Sequence, residues 1–330
     1  MALKDTDYLY SSSNIRARQG GKSFFTNLVS LLECKNIDDI YALVVTDEKI
    51  EGKTKKEKIE ASLDKRLEEC INYVMRLVPN RSIYKFLLYE YDLCNLKSLI
   101  KGEIRGTEVD DILYSFGAIS LSELKFAVEK RVFNVLPKHM AEGARNAIDA
   151  YAKTKNPALI DIILDKACFM DILENAKESG CKMFIEATKR RIDIINILAF
   201  IRIARLRAKG KREMFLEASI EGGNLGCDML AEKIDDYDGN LEELLKGTDY
   251  ALAVSNLGSN YTPALLAKSL DEVYLAHVKG INYIPFGAEI PYGYVISTIY
   301  EIKNVKTVLA GLLTGVDAKT IRERVRFGYV

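Results

Sequence analysis

Few residues in the chain have the types and spacing that chemistry needs. RQGGKS, from Arg18 to Ser23, ends like a phosphate-cradling loop, whose form is G-x-x-x-x-G-K-[ST] after a buried strand. Arg16 stands where its first glycine belongs, and DTDYLYSSSNIRA before it has no strand character, so it reads as a polar turn. His139 and His277 are the only histidines, each within a helical pattern and without Cys or Asp at ligand spacing, too little for a metal site or a nucleophile–histidine relay. Cys34, Cys70, Cys94, Cys168, Cys181 and Cys227 form no Cys-x-x-Cys pair and read as small buried hydrophobes. The carboxylate pairs Asp110-Asp111, Asp235-Asp236 and Glu242-Glu243 fall at helix starts, where acids favour the positive end of the dipole. Asn80-Arg81-Ser82 and Asn260-Tyr261-Thr262 fit the glycosylation pattern, which a cytosolic chain does not use. No catalytic, cofactor-binding or metal-binding residue is assigned, and no cofactor is expected.

Composition narrows the function classes. In 330 residues, Lys plus Arg (47) cancel Asp plus Glu (47), so no global basic field exists to hold a nucleic acid or an anionic membrane surface. There is no signal-peptide layout, no lipidation signal and no run approaching the ~20 apolar residues of a membrane helix. A cytoplasmic chain is expected, with any membrane association made through protein partners. The 6 prolines and absence of tryptophan suit long uninterrupted helices.

What organises the chain is a repeated element. YDLCNLKSLIKGE, IDIINILAFIRIAR and YEIKNVKTVLAG each carry an acid three residues before an asparagine: Asp92 and Asn95, Asp193 and Asn196, Glu301 and Asn304. Acid and amide at i, i+3 share one face of a helix, and the flanking aliphatics cover the others. Each copy runs to a glycine and a second short helix: Gly106 then TEVDDIL, Gly210 then KREMFLEA, Gly315 then VDAKTIRERV. A repeat of about 100 residues is too long for a solenoid and matches a small domain. The expectation is three related helical domains in tandem, 1–118, 119–221 and 222–330, with the six acids and asparagines as repeat anchors.

The rest of the chain also reads as helix, and the fold class is all-α. A helical period starts at Phe24, a short helix follows Asn36, and Thr54-x-x-Glu57 is a capping box ahead of the stripe Ile59, Leu63, Leu67, Ile71, Val74 and Val78. Ser82 is expected to cap the first asparagine helix. Ser120-x-x-Glu123 opens a helix that Pro137 breaks, Asn156-Pro157 opens another, and Cys181 to about Lys209 holds the second asparagine. Lys189, Arg190, Arg191, Arg202, Arg205 and Arg207 on that helix read as a solvated face. EGGNLG is a loop, Asn240-x-x-Glu243 caps a short helix, Thr262-Pro263 starts a long one, and INYIPFGAEIPYGY reads as a turn or hinge. TDYALAVSN alone leaves strand open.

YLYSSSNIRARQGG, YEYDLCNLKSLIKGE, DIINILAFIRIARLRAKGKREMFLEASIEGGNL and YEIKNVKTVLAGLLTGVDAKTIRERVRFGYV together resemble the C subunits of bacterial and archaeal V-type (A-type) ATPases, whose eukaryotic counterpart is the V-ATPase d subunit. The likeness covers essentially the whole chain. It implies three similar all-helical domains forming a funnel, with no active site. It also implies a rotor position between the central-shaft subunits and the membrane proteolipid ring, peripheral to the membrane. Leu198 departs from the base found two residues after the asparagine in the other copies, Lys97 and Lys306. Proton or sodium coupling would be a property of the ring. From another class, a free-standing helical scaffold for a cytosolic protein is the alternative reading.

Overall fold

In a computed structural model the chain is described at residues 4–20, 28–46, 50, 52, 54–258 and 261–326. Among these residues there are α-helices and short 3-10 turns but no strand. The Gly-Lys-Ser of RQGGKS, the Phe24 start of a helical period and the asparagine of the Asn260-Tyr261-Thr262 pattern lie outside the described residues, whereas Arg18 to Gly20 continue a helix.

The chain gathers into two compact units: Met1–Pro79 with Leu241–Val330, and Asn80–Asn240. The first begins with α1 (Leu9–Gly20), α2 (Leu28–Glu33), α3 (Ile37–Val44) and α4 (Lys55–Leu77). Asn36 starts α3 by accepting from the N–H groups of Asp38 and Asp39, and Thr54 with Glu57 closes a full capping box on α4. Ile59, Leu63, Leu67, Ile71 and Val74 are buried along one stripe of α4, as their 3.6 periodicity requires.

The second unit holds α5 (Tyr89–Arg105), α6 (Leu121–Lys130), α7 (Lys138–Thr154), α8 (Ala158–Glu178), α9 (Lys182–Ala204), α10 (Lys211–Ala218) and α11 (Cys227–Lys233). Ser82 does not cap α5. It sits in a 3-10 turn, Ser82–Leu87, and gives its N–H and hydroxyl to Asn80, after which α5 starts at Tyr89. The Ser120–Glu123 box does open α6. That helix stops well before Pro137, because Arg131 takes a left-handed conformation (φ 59°) and folds its guanidinium onto the Val128 carbonyl and Glu103. Likewise α9 ends at Ala204 rather than near Lys209, where the Lys211 ammonium donates to the Ala204 carbonyl at 2.7 Å.

The first unit resumes with α12 (Leu241–Leu244), α13 (Ala251–Ser255), α14 (Pro263–Lys279), α15 (Glu289–Leu313) and α16 (Ala318–Arg324). TDYALAVSN contributes α13, a helix. Thr262 caps α14 through the Leu265 N–H, with Pro263 at the first helical position. The irregular reading of INYIPFGAEIPYGY holds only in part, since α15 already includes Pro291 and Gly293. In the first turn a proline costs nothing, because its missing N–H has no helical partner there.

Glycine permits a close approach of α7 to α8 in the second unit. A Cβ on Gly143 of α7 would stand 2.7 Å from the Ala167 Cβ of α8, and Gly143 is buried. Gly143→Ala is expected to overpack this crossing and cost about 1–3 kcal/mol, read as a lowered urea midpoint with unchanged helix content.

Candidate functional site

Each repeated asparagine does one thing. The Asn95 amide nitrogen donates to the Tyr114 carbonyl at 3.0 Å while its oxygen accepts the Tyr114 N–H at 2.8 Å. Asn196 grips both backbone groups of Ile220, each at 2.8 Å. Asn304 grips both backbone groups of Arg326, at 2.8 and 3.0 Å. A primary amide presents the same donor and acceptor as a peptide unit, so it pairs with one residue as a neighbouring strand would. The gripped residue follows the second short helix in the second and third copies and the 3-10 turn Asp110–Ile112 in the first. All three asparagines are buried.

The acids extend the grip in the first two copies. Asp92 accepts the N–H groups of Ala118 (3.0 Å) and Ile119 (3.3 Å), and Asp193 accepts that of Leu225 at 2.9 Å. The acid precedes the asparagine by one turn yet takes the later part of the returning chain, so that chain runs back antiparallel to the helix. Glycine is demanded where it passes the carboxylate: a Cβ on Gly117 would meet Asp92 Oδ1 at 2.1 Å, and one on Gly223 would meet Asp193 Oδ1 at 2.2 Å. Glu301 does otherwise, lying 4.0 Å from Arg66 of α4. Arg326 gains a second hold instead, its Nε donating to Asp271 at 2.6 Å, while Tyr300 donates to the same carboxyl at 2.9 Å.

The glycines correspond in conformation, although only Gly106 and Gly315 end their helices: α9 ends at Ala204, and Gly210 instead caps the start of α10. Gly106, Gly210 and Gly315 are all left-handed, at φ 64°, 72° and 69°, the region in which a side chain is strained. After Gly106 and Gly315 the next N–H, of Thr107 and Val316, returns to the carbonyls of Gly102 and Gly311, at 3.0 and 2.9 Å. Across the first and third asparagine helices lies another helix in the same register. The Cys168 thiol of α8 meets the Tyr89 carbonyl, six residues before Asn95, and the Cys70 thiol of α4 meets the Thr298 hydroxyl, six before Asn304. Two residues after the asparagine, Lys97 pairs with Asp165 at 2.6 Å and Lys306 with Asp64 at 3.4 Å.

Burial sets the electrostatics. It pushes the Asp92 carboxyl up to about 7, against the pull of the Ile119 and Ala118 N–H groups. It also pushes Glu301 up to about 7, against the pull of Arg66. The Cys70 thiol is raised to about 12 by the same cause, the environment of an inert cysteine. Cys168 and Cys227 are also buried, whereas Cys34 and Cys181 are half-buried and Cys94 is exposed, unlike the buried reading.

Groups that resemble chemistry have structural accounts. His139, Asp171 and Glu174 bring ligand atoms within 4.8 Å of one another. Asp171 is there because Pro137 offers no cap to α7, and its carboxylate accepts the His139 and Met140 N–H groups at 3.0 and 2.7 Å. Glu174 then meets His139 Nε2 at 3.3 Å. Of the bases read as a solvated face, Arg191 is a correction. It forms a two-pronged pair with Glu90 of α5 and lies 5.4 Å from the Phe169 ring, joining three helices. No helix among the described residues is long and apolar enough to cross a membrane.

The profile of the ATP synthase (C/AC39) subunit family matches residues 22–324. The chain is 23% identical over 284 residues to the C subunit of an A-type ATP synthase from Methanosarcina mazei, covering 81% of this chain and 76% of the relative. It is 21% identical over 350 aligned positions to that of Methanocaldococcus jannaschii, covering 98% and 87%. Against the C subunit of a V-type sodium ATPase from Enterococcus hirae it is 22% identical over 273 residues, covering 82% of each.

Two outcomes test these buried groups. Asn196→Ala leaves the buried Ile220 N–H without its acceptor, while the Cys227 thiol still reaches the carbonyl at 3.3 Å, so a loss of about 1–3 kcal/mol is expected in urea unfolding. The second is pH dependence. Glu301 is raised from an ordinary 4.5 to about 7, so the folded chain holds that proton more tightly than the unfolded one. Its contribution is fully present below about 4.5 and is lost as pH rises through about 7. Glu301→Gln should flatten the fall in stability across that window, and a slope parallel to wild type would refute this account.

Proposed function

Because the chain belongs to the ATP synthase (C/AC39) subunit family, a non-catalytic subunit of rotary A- and V-type ATPases, we propose that it is the central-stalk adaptor coupling the shaft subunits to the membrane proteolipid ring. The observation that carries this is the length of the family match, residues 22–324, which leaves no room for a second domain of another trade within the chain. The clamps support it physically. A part that transmits torque must not bend between its two ends, and packed helices whose returning loops are fixed by buried two-point hydrogen bonds are stiff where a protein otherwise gives way. We also propose that the six acids and asparagines anchor three structural repeats, on the strength of three amide grips of one kind. Partners then hold the subunit at the cytoplasmic face of the membrane, since it carries no spanning helix of its own among the described residues.

The deciding experiment uses the whole ATPase in vesicles, with the chain absent, present, or restored. ATP hydrolysis by the catalytic head is expected to persist without the chain while ion transport is lost and then returns on adding it back. Unchanged transport in its verified absence would end the adaptor reading and favour a free-standing scaffold.

A further inference from the structure

Where α9 passes into α10 the chain reads RIARLRAKGKR, residues 202–212, six bases in eleven residues with no acid. Arg202, Arg205, Arg207, Lys209 and Arg212 are exposed. Lys211 holds the Ala204 carbonyl and Arg205 is also engaged within the chain. Arg202, Arg207, Lys209 and Arg212 make no side-chain hydrogen bond or ion pair among the described residues. Two large apolar side chains are exposed in the same stretch and the turn after it, Leu206 at 42% and Met214 at 37%.

The helix ends do not account for this charge. Bases favour the carbonyl end of a helix only within its last turn, and α9 stops at Ala204, so Arg207 and Lys209 lie beyond its reach. Lys211 and Arg212 open α10, where the dipole favours acids instead. The corresponding stretch after α5, Gly106 to Ile119, carries Glu108, Asp110 and Asp111 and no base. Nor do the acids at this end of α9 cancel it. Glu213 turns toward Gly210, where its Oε2 would stand 3.4 Å from a Cβ. Asp235, Asp236 and Asp238 flank Tyr237, whose ring meets Phe200 of α9 at 5.2 Å. None of these four pairs with Arg202, Arg207, Lys209 or Arg212, and four acids against six bases leave the surface positive.

From this arrangement we infer that the loop docks onto an acidic face of a partner subunit, which deepens the adaptor reading and rests on it. Crowded like charges repel one another, and an opposing carboxylate surface relieves that repulsion while fixing which partner docks and in what orientation. Composition favours protein over lipid headgroups. Four of the six bases are arginine, whose planar fork takes a carboxylate by two bonds, as Arg191 on the same helix takes Glu90. Leu206 and Met214 add apolar contact of the kind an interface core uses. A lipid surface asks only for positive charge, which lysine supplies as well.

The test places p-benzoylphenylalanine at the exposed Ala208 in the reassembled ATPase complex and maps the photo-cross-link by mass spectrometry. The expected product joins this position to a partner-subunit segment in which Asp and Glu outnumber Lys and Arg. Arg207→Glu, Lys209→Glu and Arg212→Glu together, shown by thermal melting to be folded, should cut that yield at least about tenfold. Cross-linking to lipid, to this chain alone or to a segment without excess acid overturns the inference. So does the absence of any cross-link, or a yield that charge reversal leaves unchanged. Transport measured on the same samples keeps the two readings apart, because pumping without the chain removes the adaptor, whereas the cross-linking outcomes remove only the docking surface.

Discussion

Burying a primary amide is costly unless both its donor and its acceptor are met, and one geometry meets them with a single backbone residue. That constraint shapes each repeated segment. Once Asn95, Asn196 or Asn304 is buried by the aliphatics on its helix, the chain beyond that helix must return with one residue's N–H and C=O facing the amide. The left-handed glycines supply the turn that permits the return. Where the returning chain crosses the acid, Gly117 and Gly223 are forced by contact, since any Cβ would overlap the carboxylate. Helix, stop, short element and tethered loop are thus one cooperative unit rather than four local choices.

The third copy shows how far the constraint extends. Its asparagine grips Arg326 as the others grip Tyr114 and Ile220, but the acid is longer by one methylene and meets Arg66 on α4. The hold that Asp92 and Asp193 supply through the backbone passes in this copy to the Arg326 side chain, which Asp271 of α14 accepts. The amide grip is therefore the invariant part of the device, and the acid is the adaptable part.

Much of this is legible in the residues alone. Capping boxes at Thr54 and Ser120, the short helix after Asn36 and the stripe on α4 are local, and local signals survive folding. The acid-to-asparagine spacing is visible, but its purpose is not, because the partner is a backbone group and carries no residue signature. The same reason hides Asp171 as the cap of α7, a helix whose own Pro137 cannot serve. Arg191 reads as solvated because its partner Glu90 lies 101 residues away, and a helical wheel sees only its own helix. The stop at Arg131 escapes the sequence because a tertiary pair with Glu103 stabilises a left-handed residue that propensity disfavours.

Two-point grips change how a loop opens. Loops are ordinarily the low-stability parts of a fold, opening locally at little cost, and catalytic proteins use that freedom for lids. In this chain the loops after two of the asparagine helices are tied by three and four hydrogen bonds in largely buried surroundings, so opening one exposes unmatched polar groups at once. Stiffness then comes from polar satisfaction as well as from apolar packing. Apolar packing resists separation but tolerates sliding, whereas a paired amide tolerates neither, because a displacement of about 1 Å breaks both of its bonds. The connections between helices are the low-stability parts of an all-helical fold, and those are the places the repeated asparagines hold.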